Sequence, residues 1–265
     1  MTKKEMLRNL LEQAKKENLF VGTGNPESNI LIVGKEASIK PDNKGQINLE
    51  ITDNIPDWER DIDKHFSEIP DFFETNFFSP LYPYKGQINI RNNNQNKGTS
   101  NTWLKYKKLW DKIFIKDGGK SEKINFHEKC FITELNQITS PNSSQLRKKY
   151  PQEVIEKMIQ KRKEIILQSA YIQSFPVVVL ACGPYISEYK IDIPLLFDVK
   201  PLKPEGGVPY GKKGKKQWYN AYKAIHGNLP KLVIHSWHFM LVKDELIEMM
   251  GKNIADFCTE HNISF

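Results

Sequence analysis

Apolar residues recur along this chain in four short runs that are separated by long amphipathic or polar segments. The runs cover residues 29–34, 129–135, 176–182 and 231–235. Their β-branched residues and mostly continuous hydrophobicity are typical of strands that are buried on both faces of a parallel sheet. The pattern therefore predicts a central, mainly four-stranded parallel sheet.

Helical periodicity fills much of the remaining sequence. Residues 3–17 and 151–174 each place apolar side chains on one face at the 3.6-residue period, with lysine, arginine or glutamate outside. Further helices are predicted at about 101–115 and 241–261. The segment 151–174 is the crossover helix between two parallel strands. Together these elements predict an α/β fold, a three-layer α/β/α sandwich that forms a single domain over residues 1–265.

Two segments do not fit this scheme. Residues 68–100 combine aromatic residues and prolines with an asparagine-rich run, and they are interpreted as a loop insertion at about 68–100. Residues 200–218 form a basic loop that is rich in glycine and proline.

Composition narrows the class of protein. The chain has 39 Lys+Arg against 32 Asp+Glu, and its net charge of +7 favours a polyanionic partner without requiring one. The cysteines Cys130, Cys182 and Cys258 follow no metal-binding spacing, so they are interpreted as free thiols in a reducing cytoplasm. No apolar window approaches the length of about 20 residues that spans a bilayer. The expectation is a cytoplasmic protein with no metal, no cofactor, no membrane contact and no obligate protein partner.

Candidate catalytic residues follow two of the predicted strands. The first run ends at Gly34 and is followed by Glu36, whereas the last run ends at His235. Since parallel strands end at one edge of a sheet, the two side chains are expected to lie near each other. A carboxylate can orient or deprotonate water, and a neutral histidine can donate a hydrogen bond to a departing group. The structural alternatives are a helix cap for Glu36 and a buried histidine for His235, with His238 as the weaker catalytic candidate.

The order and spacing of these segments resemble the uracil-DNA glycosylase superfamily over roughly residues 20–240. Its first motif, a strand followed by glycine, any residue and an acid or amide, is matched by Gly34-Lys35-Glu36-Ala37. Its last motif begins with histidine after the final strand and is matched by His235-Ser236-Trp237-His238. Ala37 and Ser236 stand where the superfamily usually has proline.

The predicted strand within residues 131–142 is similar to the superfamily strand that ends in a base-recognising asparagine. The ungapped match puts Glu134 at that position, and Asn136 is the rival. A carboxylate at this position accepts a hydrogen bond from an amino group. Glu134 therefore favours a base that presents an amino group over uracil. A buried structural ion pair is the alternative for Glu134.

The resemblance implies a DNA glycosylase-like protein that hydrolyses the N-glycosidic bond of a damaged or modified base. Glu36 would position water and His235 would stabilise the leaving base. Glycosylases that flip a nucleotide out of a duplex stack its base on aromatic rings, for which Phe77 and Phe78, or Tyr82 and Tyr84, are candidates. The same aromatic residues can instead form a small core under a long loop.

The expected partner is DNA. The candidates for contact with its backbone are Ser236, in the last motif, and four lysines of the basic loop, Lys212, Lys213, Lys215 and Lys216. A solvated charge run is the competing interpretation of these lysines. The alternative function is a non-catalytic nucleic-acid-binding protein that retains the glycosylase fold, because two motif prolines are missing.

Overall fold

A computed structural model describes residues 1–88, 98–114, 123–202, 206–209, 216–224 and 229–264. Its strands form one sheet with the order β1-β3-β2-β4-β8-β7-β5, and β6 also pairs with β7. The strands are β1 (Thr23–Gly24), β2 (Ile30–Glu36), β3 (Phe131–Asn136), β4 (Val177–Leu180), β5 (Val199–Pro201), β6 (Gly206–Pro209), β7 (Lys216–Ala224) and β8 (Leu232–Ser236).

The four predicted strands form the centre of this sheet. Strands β3, β2, β4 and β8 are neighbours in that order and run parallel, as predicted. The sheet is nevertheless mixed, because β1 pairs with β3 and β7 pairs with β8 in antiparallel fashion. Strand β7 alternates between buried and less buried residues. This half-buried pattern is typical of an antiparallel strand and gives no continuous apolar run.

Helices pack on the sheet, and the alternation of side chains along each strand explains how. In β2, Leu31 and Val33 join one hydrophobic cluster, whereas Ile30 and Ile32 join a second cluster. The helices are α1 (Lys3–Lys16), α2 (Lys44–Ile47), α3 (Asn54–Asp61), α4 (Phe72–Thr75), α5 (Asn101–Phe114), α6 (Ser143–Lys149), α7 (Gln152–Arg162), α8 (Ala170–Gln173), α9 (Tyr185–Glu188), α10 (Ile193–Phe197) and α11 (Asp244–Glu260). None of these helices is long and apolar enough to cross a membrane.

The predicted crossover helix is divided into three parts. Helix α7 continues into a π-helical turn at Lys163–Leu167, and α8 begins after Ser169, whose hydroxyl caps the backbone N–H of Ile172. The prediction that arginine lies outside was wrong for Arg162, which is fully buried. Its guanidinium has hydrogen-bond acceptors inside the protein, so the charge can be buried.

Arg162 connects α7 to the sheet and to the segment before β2. Its Nε donates to the backbone carbonyl of Glu134 at 2.8 Å, and Nη1 donates to that of Phe20 at 2.7 Å. Nη2 donates to the hydroxyl of Thr133 at 2.9 Å. Burial lowers the pKa of Arg162 to about 9. The interior thus holds a cation directly under the strand that carries Glu134.

Within the predicted insertion, the aromatic residues pack on each other. Phe78 is buried and makes edge contacts with Phe72 and Tyr84. Phe72, Phe78 and Tyr84 thus form a small core, which is the structural alternative expected for the cluster, whereas Tyr82 belongs to the first hydrophobic cluster and Phe77 packs against it. The asparagine-rich run at 91–96 lies outside the described residues.

Candidate active site

The carboxyl ends of β2 and β3 bring two glutamates together. In the parallel ladder Gly34 is paired with Glu134, and Glu36 is paired with Asn136. The carboxylate of Glu134 lies over Gly34, because a Cβ at position 34 would be only 2.0 Å from Glu134 Oε2. Glycine is therefore required here by close approach, and this contact brings Glu134 to the end of β2.

Glu36 is held by a short chain of hydrogen bonds. The Ser143 hydroxyl donates to Glu36 Oε1 at 2.8 Å, and Lys35 Nζ donates to the Ser143 hydroxyl at 2.9 Å. Ser143 is the first residue of α6, which Asn142 caps by accepting from the Gln145 N–H at 2.9 Å. One oxygen of Glu36 is thus fixed, while Oε2 is buried without a hydrogen-bond partner in the protein.

Glu134 has an unusual protonation equilibrium. It is half-buried as a residue, but its Oε2 is shut off from solvent and has no hydrogen-bond partner in the protein. Burial, and then the neighbouring charge of Glu36, raise the pKa of Glu134 to about 8. At neutral pH this carboxyl group holds its proton, so it can donate a hydrogen bond or act as an acid.

Two further polar side chains, those of Tyr185 and Asn136, lie near the glutamates. The Tyr185 hydroxyl is buried and makes no hydrogen bond of good geometry, and its pKa is raised by burial and by the Glu36 carboxylate. Asn136 accepts from the Ile138 N–H at 3.0 Å, which leaves its buried Nδ2 without a partner. Buried polar atoms nearly always have partners in folded proteins. Both Glu36 and Asn136 act on the pKa of Tyr185, so these polar side chains lie together at the carboxyl edge of β2 and β3.

His235 does not share the surroundings of Glu36. Strand β4 lies between β2 and β8, and His235 Nε2 is 2.8 Å from the carbonyl oxygen of Gly183. A carbonyl only accepts hydrogen bonds, so Nε2 carries the proton and donates it there. Burial lowers the pKa of His235, so the ring is neutral at neutral pH. The role predicted for His235, donation of a hydrogen bond to the leaving base, stays a prediction. The hydrogen bond to Gly183 does not favour this role, because it already uses the ring N–H.

His238 lies closer to the charges of the site. Burial, and then the positive charge of Lys35, lower its pKa to about 4. Its backbone packs against Gly183, where a Cβ would meet the His238 nitrogen at 3.2 Å. Of the two histidine candidates, His238 is therefore the one whose pKa is affected by Lys35, which is hydrogen-bonded to Ser143 beside Glu36.

The predicted aromatic residues have structural contacts. Phe77 lies against Arg60, whose guanidinium carbon is 4.4 Å from the ring centroid, and Phe78 belongs to the small core described above. Tyr84, one of the alternative aromatic candidates, belongs to the same small core, and its hydroxyl donates to Glu50 at 2.5 Å. The charge of Glu50 also contributes to the raised pKa of Glu134.

The positions of the residues predicted to contact the DNA backbone give this role little support. Ser236 is fully buried and its hydroxyl donates to the Trp237 carbonyl at 3.1 Å. Lys216 is exposed at the start of β7, three strands away from β2. Lys212, Lys213 and Lys215 lie outside the described residues.

Sequence reasoning missed Ser143 and Tyr185 as parts of this edge. Tyr185 follows the third apolar run by three residues, so the rule that selected Glu36 could have found it. Ser143 follows Pro141 and Asn142, which signal the start of a helix. Among the described residues, no group of three or more His, Cys, Asp or Glu side chains is arranged to hold a metal ion.

Comparisons with protein-family models, with curated proteins and with solved structures found no match.

Proposed function

We propose that this protein hydrolyses the N-glycosidic bond of a damaged or modified base in DNA, with the reaction at the carboxyl ends of β2 and β3. The observation that carries the proposal is the pair of neighbouring carboxyl groups, Glu36 and Glu134, in different surroundings. Two titratable groups whose surroundings differ in this way are suited to the separate roles of base and acid.

The chemistry follows from these surroundings. Glu36, oriented by Ser143, accepts a proton from water as the water oxygen attacks the sugar carbon C1′. The bond from C1′ to the base nitrogen breaks, and its electron pair leaves with the base. Glu134, whose raised pKa keeps it protonated, donates a proton to the departing base. One carboxyl group gains a proton and the other loses one, as in hydrolysis of other glycosides.

This proposal transfers the leaving-base role from His235 to Glu134. The hydrogen bond between His235 Nε2 and Gly183 occupies the ring proton that a leaving base would need. The proposed fold is the three-layer α/β/α arrangement of the uracil-DNA glycosylase superfamily. It is supported by the parallel order β3-β2-β4-β8 and by hydrophobic clusters on alternating sides of β2.

The test uses oligonucleotides that carry uracil, hypoxanthine, xanthine or a methylated base, followed by alkaline cleavage of abasic sites. Glu36→Gln is expected to slow base release at least about 100-fold, because an amide cannot accept the proton of water. Glu134→Gln is expected to slow release as well, and to abolish the loss of rate as pH rises through about 8.

Glu153→Gln is the matched control, because Glu153 is an exposed residue in the first turn of α7. It should release base at the wild-type rate. The proposal is wrong if the wild-type protein releases none of these bases, or if Glu36→Gln and Glu153→Gln are equally active.

A second candidate function is non-catalytic binding of nucleic acid. The observation that favours it is the internal hydrogen bond of His235, which removes the histidine predicted for catalysis. Salt-sensitive binding of DNA without release of any base would support this candidate.

A further inference from the structure

A groove lies beyond the carboxyl ends of β2 and β3. Its volume is about 270 Å³, and its lining comes from the segments that follow β2 and β3 and from the end of α6. The lining residues are Pro41, Thr139, Ser140, Pro141, Gln145, Lys148, Lys149 and Tyr150. This volume is below the roughly 300–1,000 Å³ of small-molecule pockets, so it suits part of an extended ligand.

The groove is joined directly to the candidate active site. The Ser140 N–H donates to the Ala37 carbonyl at 3.1 Å, and the Ser38 hydroxyl donates to the Pro141 carbonyl at 3.1 Å. Ala37 is the residue after Glu36, and α6 begins with Ser143, which binds Glu36. The wall of the groove at Ser140 therefore contacts the residue next to Glu36.

Positive charge is available along one wall. Lys148 and Lys149 are exposed and make no ion pair within the described residues, whereas Arg147 of the same helix is paired with Glu188 at 2.8 Å. The ammonium of Lys149 lies 5.2 Å from the centroid of the Tyr150 ring, which is half-buried. Asp42 is an exposed carboxylate in the segment after β2. The groove thus combines two unpaired cations with an aromatic ring.

We infer that this groove, defined by the lining residues above, holds the nucleic-acid strand next to the nucleotide whose base is released. Lysines that neutralise phosphates and rings that stack on bases are the two elements of single-strand binding surfaces. Lys148 and Lys149 contact phosphates, and Tyr150 offers its ring to a neighbouring base. This inference rests on the proposed function, because the choice of nucleic acid over an acidic protein comes from the adjacent site.

The experiment measures binding of a fluorescent single-stranded oligonucleotide to the full chain by anisotropy, at several salt concentrations. For Lys148→Ala combined with Lys149→Ala, the slope of log affinity against log salt should become shallower by about 1.4, the value for two lost phosphate contacts. Tyr150→Leu keeps an apolar side chain at this position but removes the ring, and it should weaken binding about five-fold or more.

The matched control is Lys16→Ala combined with Lys252→Ala, since both are exposed lysines on α1 and α11. An unchanged slope in the groove variant, or an equal change in the control, overturns the inference. Equal effects of the groove variants on binding of polyglutamate also overturn it, because they indicate an acidic-protein surface.

Binding and base release fail separately in this design. Groove-dependent binding without base release refutes the proposed function and keeps the groove as a nucleic-acid surface. Base release with no effect of the groove variants on binding refutes the groove alone.

Discussion

Glu134 occupies space that a side chain at position 34 would need. Its Oε2 would be 2.0 Å from a Cβ on Gly34, and the same oxygen is buried beside Glu36. Because burial and the neighbouring charge both disfavour the ionised form, the pKa of Glu134 rises to about 8. Gly34 in β2 leaves the space in which the carboxyl group of Glu134 in β3 lies.

This raised pKa predicts how stability depends on pH. The ordinary glutamate pKa is 4.5, so above that pH the unfolded chain releases a proton that folded Glu134 keeps. The free energy of unfolding should therefore fall as pH rises from about 5 to 8, by up to about 1.4 kcal/mol per pH unit from this group. Urea unfolding across that range measures it.

Glu134→Gln should remove this part of the pH dependence, while Glu153→Gln, at an exposed position, should keep it. An identical pH dependence in wild type and Glu134→Gln would show that Glu134 is ionised in the folded protein at neutral pH.

At the residue scale, the sequence predicted that the first apolar run ends at Gly34 with Glu36 behind it, whereas β2 continues through Gly34 and ends at Glu36 itself. It did not predict which residue is paired with Gly34, since the register of β2 with β3 joins residues about a hundred positions apart. Arg162 was missed for the same reason: its carbonyl acceptors come from distant segments.

At the scale of elements, α5 and α11 cross closely. A Cβ at Gly251 in α11 would be 2.7 Å from the Lys112 Cβ in α5. At the start of α11, Asp244 accepts from Lys105 and Lys108, each at 2.7 Å. The two helices are therefore held at a distance that leaves no room for a further methyl group.

Gly251→Ala is expected to lower the free energy of unfolding by about 1 kcal/mol. The gain in helix propensity of about 1 kcal/mol is outweighed by overpacking, which costs about 1–3 kcal/mol. Gly45→Ala in α2 is the matched control, since among the described residues only Asn43 Oδ1 comes within 4.0 Å of its Cβ. This control should be neutral or slightly stabilised in the same urea titration. A wild-type stability for Gly251→Ala would mean that α5 moves freely.

The sequence predicted these elements unevenly. The parallel strands and the longest helices give strong periodic signals, and they were predicted close to their observed bounds. The antiparallel strands are short or half-buried, and their pairing depends on neighbours that a local pattern does not contain. Sequence patterns therefore indicated the centre of the sheet but not its flanks.

At the scale of the molecule, Arg162 connects parts that are far apart in the chain. It donates to carbonyls of Phe20 and Glu134 and to the Thr133 hydroxyl. Loss of Arg162 leaves these acceptors buried without a donor, which lowers the free energy of unfolding. The loss affects α7, β3 and the segment before β2, because the hydrogen bonds connect all three.

Arg162→Met is expected to lower the free energy of unfolding by at least about 3 kcal/mol, because several hydrogen bonds to a charged group are lost. Lys161→Met is the control at the adjacent position, where an ion pair with Glu17 lies near the surface. It should cost less than about 1 kcal/mol. Thermal and urea unfolding of both variants compare them, and equal stabilities would contradict the role given to Arg162.

The ends of the sheet have a consequence for the behaviour of the protein at high concentration. An exposed sheet edge is a template on which another chain can add a strand, and short strands, lysine and proline oppose this. Strand β1 has only two residues, and β5 has three, with exposed Lys200 and Pro201 among them. Strand β6, which also lies at the β7 side of the sheet, has four residues and ends at Pro209. All three edge strands therefore offer few free backbone groups for edge-to-edge aggregation.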